Sequence, residues 1–215
     1  MKSLIKNCIF SLAIAGLFLM VSTVKADTLT YTATHPSSLT EWTDNFVLTQ
    51  FDPALGSLQS VYIAATETVD MNGTVYNGST GPQTFNFQAG SMLTVTLPGV
   101  LGFLQPSPLA AFIPYVNLPS MTGAPYGPIN ASQTVNYTYT APVDMALFTG
   151  TGTVTLPGYT LTLQTIAGGG GNISAVLNTY ASASVQVVYE YIPVPEPGMI
   201  SLFAVGAFLL LRRRQ

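Results

Sequence analysis

Between Asp27 and Glu196 the chain has no lysine and no arginine. The six basic residues are Lys2, Lys6, Lys25, Arg212, Arg213 and Arg214, all near the two ends. All nine carboxylates lie inside that stretch: Asp27, Glu41, Asp44, Asp52, Glu67, Asp70, Asp144, Glu190 and Glu196. The whole-chain net charge of −3 therefore hides a segment with nine acids and no base. Salt bridges to Lys or Arg are excluded there. Nucleic acid and anionic lipid are poor partners for it, because phosphate contacts need basic side chains. Cations and neutral polysaccharide fit this charge better. Cysteine is nearly absent: Cys8 is the only one, and it precedes an N-terminal apolar run. The rest of the chain can form no disulfide, Cys-ligated zinc site or Cys nucleophile. Histidine is equally scarce. His35 stands alone before Pro36, which restricts it to extended backbone. A solvated strand-end histidine is the expectation, and a multi-His metal site or a Ser-His-Asp triad is argued against.

The two ends read as addresses. Lys2 and Lys6 precede an apolar core from Ile9 to Val21, and Val24-Lys25-Ala26 offers small residues before Asp27. This predicts a secretory signal peptide over residues 1–26, exported by the Sec machinery and cut by signal peptidase between Ala26 and Asp27. At the other end, residues 198–211 form an apolar run with only Ser201 polar. As a helix it covers about 21 Å, against about 30 Å of hydrocarbon, which is short for a permanent transmembrane span. Arg212, Arg213 and Arg214 then favour a cytoplasmic C-terminus in the precursor. Val194-Pro195-Glu196-Pro197, one apolar helix and terminal arginines in that order resemble the PEP-CTERM sorting signal of bacteria. The resemblance implies an exosortase as partner and processing of the 193–215 tail near Pro-Glu-Pro. It also implies release or transfer of the exported domain to the envelope, outer surface or extracellular matrix.

Residues 27–192 alternate with a period of two. Leu29, Tyr31 and Ala33 alternate with threonines, and Val61, Ile63, Ala65 and Val69 fall on one face. The same pattern recurs in 91–99, 134–140, 151–166 and 182–192. Turn pairs such as Asn72-Gly73 and Asn77-Gly78 separate the runs. The expected fold is all-β: eight to ten short strands in one antiparallel β-sandwich, jelly-roll or Ig-like, flanked by the two terminal helices. A closed barrel is the alternative. No helix is expected between 27 and 192, and Thr43 to Leu48 reads as a turn or short strand. Residues 98–128 hold Pro98, Pro106, Pro108, Pro114, Pro119, Pro125 and Pro128. They read as a long excursion packed as a flap, because proline removes ladder donors. Gly168 to Gly171 reads as a turn. Thr-Val-Thr-Leu-Pro-Gly occurs at 94–99 and 153–158, each copy a strand stopped by Pro-Gly. Three segments also resemble the choice-of-anchor E domain: Trp42 to Ile63, Asp144 to Pro157 and Ala181 to Pro193. That family occurs beside different C-terminal anchoring signals, and it implies a fold without assigning an activity.

Chemistry-bearing residues are few, and no catalytic residue is assigned. Trp42, the only tryptophan, with Glu41 and Asp44 is a candidate carbohydrate contact. The competing reading is a core Trp under a turn whose acids face water. Asp70, Asn72 and Thr74 have the alternate spacing of some calcium loops but lack the distal acids. Calcium therefore suits the charge without a localised site, and no other cofactor is implied. Asn72, Asn77, Asn130, Asn136 and Asn172 head Asn-x-Ser/Thr triplets. The leading expectation is a non-enzymatic structural or adhesive protein. A carbohydrate-binding module on exopolysaccharide is the alternative, and a carboxylate-dependent glycoside hydrolase using Glu41 and Asp44 is third.

Overall fold

The computed structural model describes residues 25–99 and 102–194. The helices expected at the two ends lie outside them, as do Pro195, Glu196, Pro197 and the three arginines. The strands are β1 (Asp27–Leu39), β2 (Thr43–Thr49), β3 (Gly56–Asn77), β4 (Gln83–Thr96), β5 (Phe103–Leu104), β6 (Leu109–Leu118), β7 (Thr122–Tyr139), β8 (Thr153–Gly168) and β9 (Ile173–Pro193). They form two sheets. Sheet A has the order β1-β9-β3-β7; sheet B has β2-β8-β4-β5, with β6 also on β4. All strand pairs are antiparallel. The chain passes back and forth between the sheets, and the two orders are those of a jelly roll rather than an Ig-like sandwich. The first residue of β1 pairs near the end of β9, Asp27 opposite Tyr191. The start of β1 and the end of β9 therefore lie at the same end of the sandwich.

The alternation seen in the sequence becomes the core. Val61, Ile63, Ala65, Val69 and Met71 of β3 face Phe87, Ala89, Leu93 and Val95 of β4 across the sandwich, all buried. The strands are longer than expected, because several apparent breaks are not breaks. Asn72-Gly73 lies within β3, at a register shift against β7. Glycine is needed there because a Cβ at Gly73 would collide with the Val176 carbonyl oxygen of the neighbouring strand. Asn77-Gly78 does end a strand. The first Pro-Gly, Pro98-Gly99, lies beyond β4, whereas Pro157-Gly158 continues through β8 opposite Asn45 and Asp44. A Cβ on Gly158 would meet the Phe46 ring at 2.7 Å.

The proline-rich segment is not a flap. It supplies β5, β6 and most of the first half of β7. Pro114 sits in β6, Pro125 and Pro128 in β7. Among the described residues, β6 pairs only β4 and β7 pairs only β3. Each is an edge strand, where a missing N–H can face outward at little cost, and proline there blocks further strand addition. Among the described residues, helix is confined to single turns at Pro53–Leu55, Pro142–Met145 and Ala146–Phe148.

One polar layer divides the interior. Glu67 shares the inward face of β3 with Ala65 and Val69, and it is fully buried. Two separate apolar clusters lie on either side of it, one around Ile63, Leu93 and Tyr189, the other around Val69, Phe87 and Tyr126. Glu67 Oε2 accepts the Leu93 backbone N–H at 2.7 Å, and Oε1 has no partner among the described residues. Burial raises its carboxyl to about 7, with the Ser91 hydroxyl and the Leu93 amide pulling the other way.

Candidate functional site

The corner where β1 crosses from sheet A to β2 of sheet B brings a histidine, a serine, a carboxylate and an indole together. Its origin is local. His35 continues the inward row Leu29, Tyr31, Ala33. In a regular strand, residues 35 and 38 would face opposite sides. Here β1 advances three residues, from His35 to Ser38, while β9 advances two, from Ala183 to Ala181. The extra residue is a β-bulge at Pro36-Ser37, and it returns Ser38 to the side of His35. The chain then turns through Glu41, whose φ of 71° is unusual for a residue with a side chain. Glu41 N–H donates to Thr160 Oγ1, and Thr160 N–H donates to the Trp42 carbonyl. These bonds lock the crossing against β8.

His35 is therefore not a solvated strand end. Its side chain is 17% exposed. Nδ1 lies 2.7 Å from Asp44 Oδ2, and Nε2 lies 3.0 Å from Ser38 Oγ. The imidazole stacks on Trp42 with centroids 3.9 Å apart and planes at 19°. Trp42 is itself half-buried, edge-on to Phe46, and donates Nε1–H to the Ala181 carbonyl. The His35 hydrogen bond and the Asn45 amide hold the Asp44 carboxyl below its ordinary range. An ionised Asp44 only accepts, so the proton belongs on Nδ1, and a neutral ring then offers Nε2 as acceptor to the Ser38 hydroxyl.

The structure thus joins Trp42 and Asp44 of the expected carbohydrate contact, both through His35. Glu41 is exposed, with its carboxylate free of hydrogen bonds among the described residues. Sequence reading passed over Ser38, since nothing in His-Pro-Ser-Ser announces that the bulge reverses the parity of the strand. Asp44 also borders an open cleft of about 310 Å³ with Thr43, Asn45, Thr96, Pro157, Gly158 and Tyr159.

Other singled-out residues fall elsewhere. Asp70, Asn72 and Thr74 lie on one exposed face of β3, not in a loop; Asp70 accepts from Asn130 and Asn72 from Asn178. No cluster of three or more His, Cys, Asp or Glu with metal-binding proximity occurs among the described residues. Asn77 is buried, with its amide donating to Gly81, Leu118 and Pro119 carbonyls, so it is no glycan acceptor in the fold. Ala26 and Asp27 are exposed at the start of β1, and Val194 is exposed just after β9. No described helix is long and apolar enough to cross a membrane.

The two outer faces differ sharply. On sheet A, Thr34, Ser184, Thr66 and Thr134 form one row across four strands, and Ser182, Thr68 and Ser132 form the next. Thr66 and Thr134 hydroxyls are 2.8 Å apart, Thr68 and Ser132 hydroxyls 2.9 Å. The rows repeat at sheet spacing, about 4.8 Å across strands. On sheet B, the exposed residues include Tyr159, Leu161 and Leu163 of β8 and Leu109 and Phe112 of β6, the last two 58% exposed.

No protein-family model matches the chain, and no curated protein matches it. Solved structures do. The chain is similar to Eiger TNF from S. frugiperda at 9% identity, over 82% of this chain and 91% of that one, with a TM-score of 0.25. It is similar to an infectious bursal disease virus Gx strain structure at 13% identity, over 82% and 43%, with a TM-score of 0.15. A structure described by the promiscuous specificity of carbohydrate-binding modules from the β-sandwich superfamily aligns at 13% identity, over 73% and 51%, with a TM-score of 0.17. The chain spans about half the length of the latter two or less.

Proposed function

We propose that this is an exported, surface- or matrix-associated structural and adhesive protein, sorted by a C-terminal PEP-CTERM-like tail that an exosortase processes. The observation that carries the adhesive part is the outer face of sheet A. It presents rows of hydroxyl and amide groups on a broad sheet with no basic residue, and its two acids, Asp70 and Glu190, are already hydrogen-bonded. Such a face offers many weak donors and acceptors in register to an extended neutral polysaccharide, and it repels polyanions. A carbohydrate-binding module is the second reading, favoured by Tyr180, which lies exposed beside Asp70 on that face. Because β1 starts and β9 ends at one end of the sandwich, a domain held by its tail displays the remainder of both sheets outward.

Co-sedimentation of the full chain with the exopolysaccharide of its native host tests the face. Binding should persist in high salt, since no ion pair contributes, and should fall when Thr66 and Thr134 are both changed to Asp. Tyr180→Ala should weaken binding strongly for a module and slightly for a distributed adhesive face. Absence of retention on the polysaccharide sinks both readings. Sorting is tested by intact mass from the host: a mature protein that still carries Arg212 to Arg214 refutes processing.

A further inference from the structure

We infer that Ser38, His35 and Asp44 form a nucleophile–base–orienter set that hydrolyses short-chain acyl esters of uncharged alcohols, an activity separate from polysaccharide adhesion. The order of contacts is the one such chemistry needs. Ser38 Oγ sits 3.0 Å from Nε2, and the other ring nitrogen sits 2.7 Å from Asp44. The carboxylate fixes the tautomer that leaves Nε2 free to take the serine proton. Stacking on Trp42 fixes the plane of the ring. The set is built by features that a plain sandwich corner does not require: a bulge that re-aims Ser38 and a non-glycine residue, Glu41, held at φ 71°. β1 and β2 are both edge strands. Alternate backbone N–H groups on such strands lie outside the ladder and face away from the sheet.

The charge environment selects the substrate. Glu41 and Asp44 are the acids nearest Ser38 in sequence, and no Lys or Arg occurs from Asp27 to Val194. An anionic ester is disfavoured, and the half-buried position of Ser38 and His35 beside Trp42 favours a small acyl group. In the acylation step Ser38 Oγ bonds to the carbonyl carbon and its proton passes to Nε2. The ester C–O bond breaks, and the departing alkoxide takes that proton. Water then attacks the acyl carbon, giving a proton to Nε2. The Oγ–C bond breaks, a carboxylic acid leaves, and Ser38 recovers its proton.

The test uses the full chain in mild detergent, treated with a fluorophosphonate and with p-nitrophenyl acetate. Peptide mass mapping should place one phosphonyl adduct on Ser38, with fluoride displaced. Hydrolysis should fall by at least about 100-fold in Ser38→Ala, the usual scale for losing nucleophile activation. Asp44→Asn should lower kcat with KM unchanged, as expected of a positioning residue acting through His35. The adduct is read on unmodified protein, so it stands even if a variant folds poorly. No adduct on Ser38, or a Ser38→Ala rate equal to that of the parent, overturns the inference. A change in Asp44→Asn confined to KM overturns the role given to Asp44.

Discussion

Glu67→Gln should stabilise the protein above neutral pH and leave it unchanged in acid. Glu67 is fully buried between two apolar clusters, with one oxygen on the Leu93 amide and the other unpartnered. Its carboxyl is raised from 4.5 to about 7, chiefly by burial. The folded protein therefore keeps a proton over a range where the unfolded chain has lost it. The contribution of this group to stability is full below about 4.5, falls as pH rises, and levels off above about 7. A shift of that size corresponds to about 3 kcal/mol. Gln preserves the shape and an acceptor for Leu93 N–H but cannot ionise, so it escapes the loss. For a domain of this size about 3 kcal/mol is about 6–12 °C in Tm. The assay is thermal unfolding by circular dichroism at steps from pH 4 to 8.5 for both proteins. Mutual repulsion of the other carboxylates is common to both, so the difference between them isolates Glu67. Two curves that run parallel across this window would refute the reasoning.

Three further outcomes follow from the packing. Trp42→Ala removes a half-buried ring, its N–H bond to Ala181 and the His35 stack; it should cost about 3 kcal/mol in urea unfolding, and a loss below about 1 kcal/mol would show the ring to be peripheral. Gly158→Val places its Cβ against the Phe46 ring, so it should lower Tm, whereas Gly81→Ala, with open space around it, should not. Asn77→Ala strips donors from three carbonyls at the end of β3 and the β6–β7 connection; hydrogen exchange should quicken in both, with about 1–3 kcal/mol lost.

How much of this was legible differs from element to element. The inward set Val61, Ile63, Ala65, Val69 follows directly from alternation, and so does the all-β class. Glu67 has the same parity, between Ala65 and Val69, but its charge kept it out of that set, and the structure buries it. Strand ends were harder. Asn72-Gly73 and Pro157-Gly158 are turn pairs by composition, but tertiary pairing overrides them: Gly73 lets the Val176 backbone approach, and Pro157 occupies a position just beyond the β4 ladder on its strand. The prolines of 98–128 gave the correct local physics, a lack of ladder donors, and the wrong conclusion, since an edge strand also tolerates them. The partners of each strand were not legible. β3 lies between β7 and β9 at sequence separations set by the jelly roll, which no local pattern reports. Ser38 was hidden for a related reason, because a single extra residue reverses which side chains meet.

The corner at 35–44 poses a choice between architecture and chemistry, and one substitution separates them. A chain crossing from one sheet to the other needs Trp42 as filler and the Thr160 bonds as clamps. It does not need a hydroxyl on Nε2 or a carboxylate on Nδ1. His35→Phe keeps a flat ring to stack on Trp42 and removes both nitrogens. Asp44 is 39% exposed and Ser38 half-buried, so water can replace the lost contacts. An ion pair at that exposure is worth about 0–1 kcal/mol, while ring stacking contributes about 0.5–1.5 kcal/mol. Stability in His35→Phe should therefore stay within about 1 kcal/mol of the parent, by urea unfolding, while phosphonylation at Ser38 disappears. A variant that unfolds, yet whose residual folded fraction still labels Ser38 at the parent rate, would assign His35 to architecture alone.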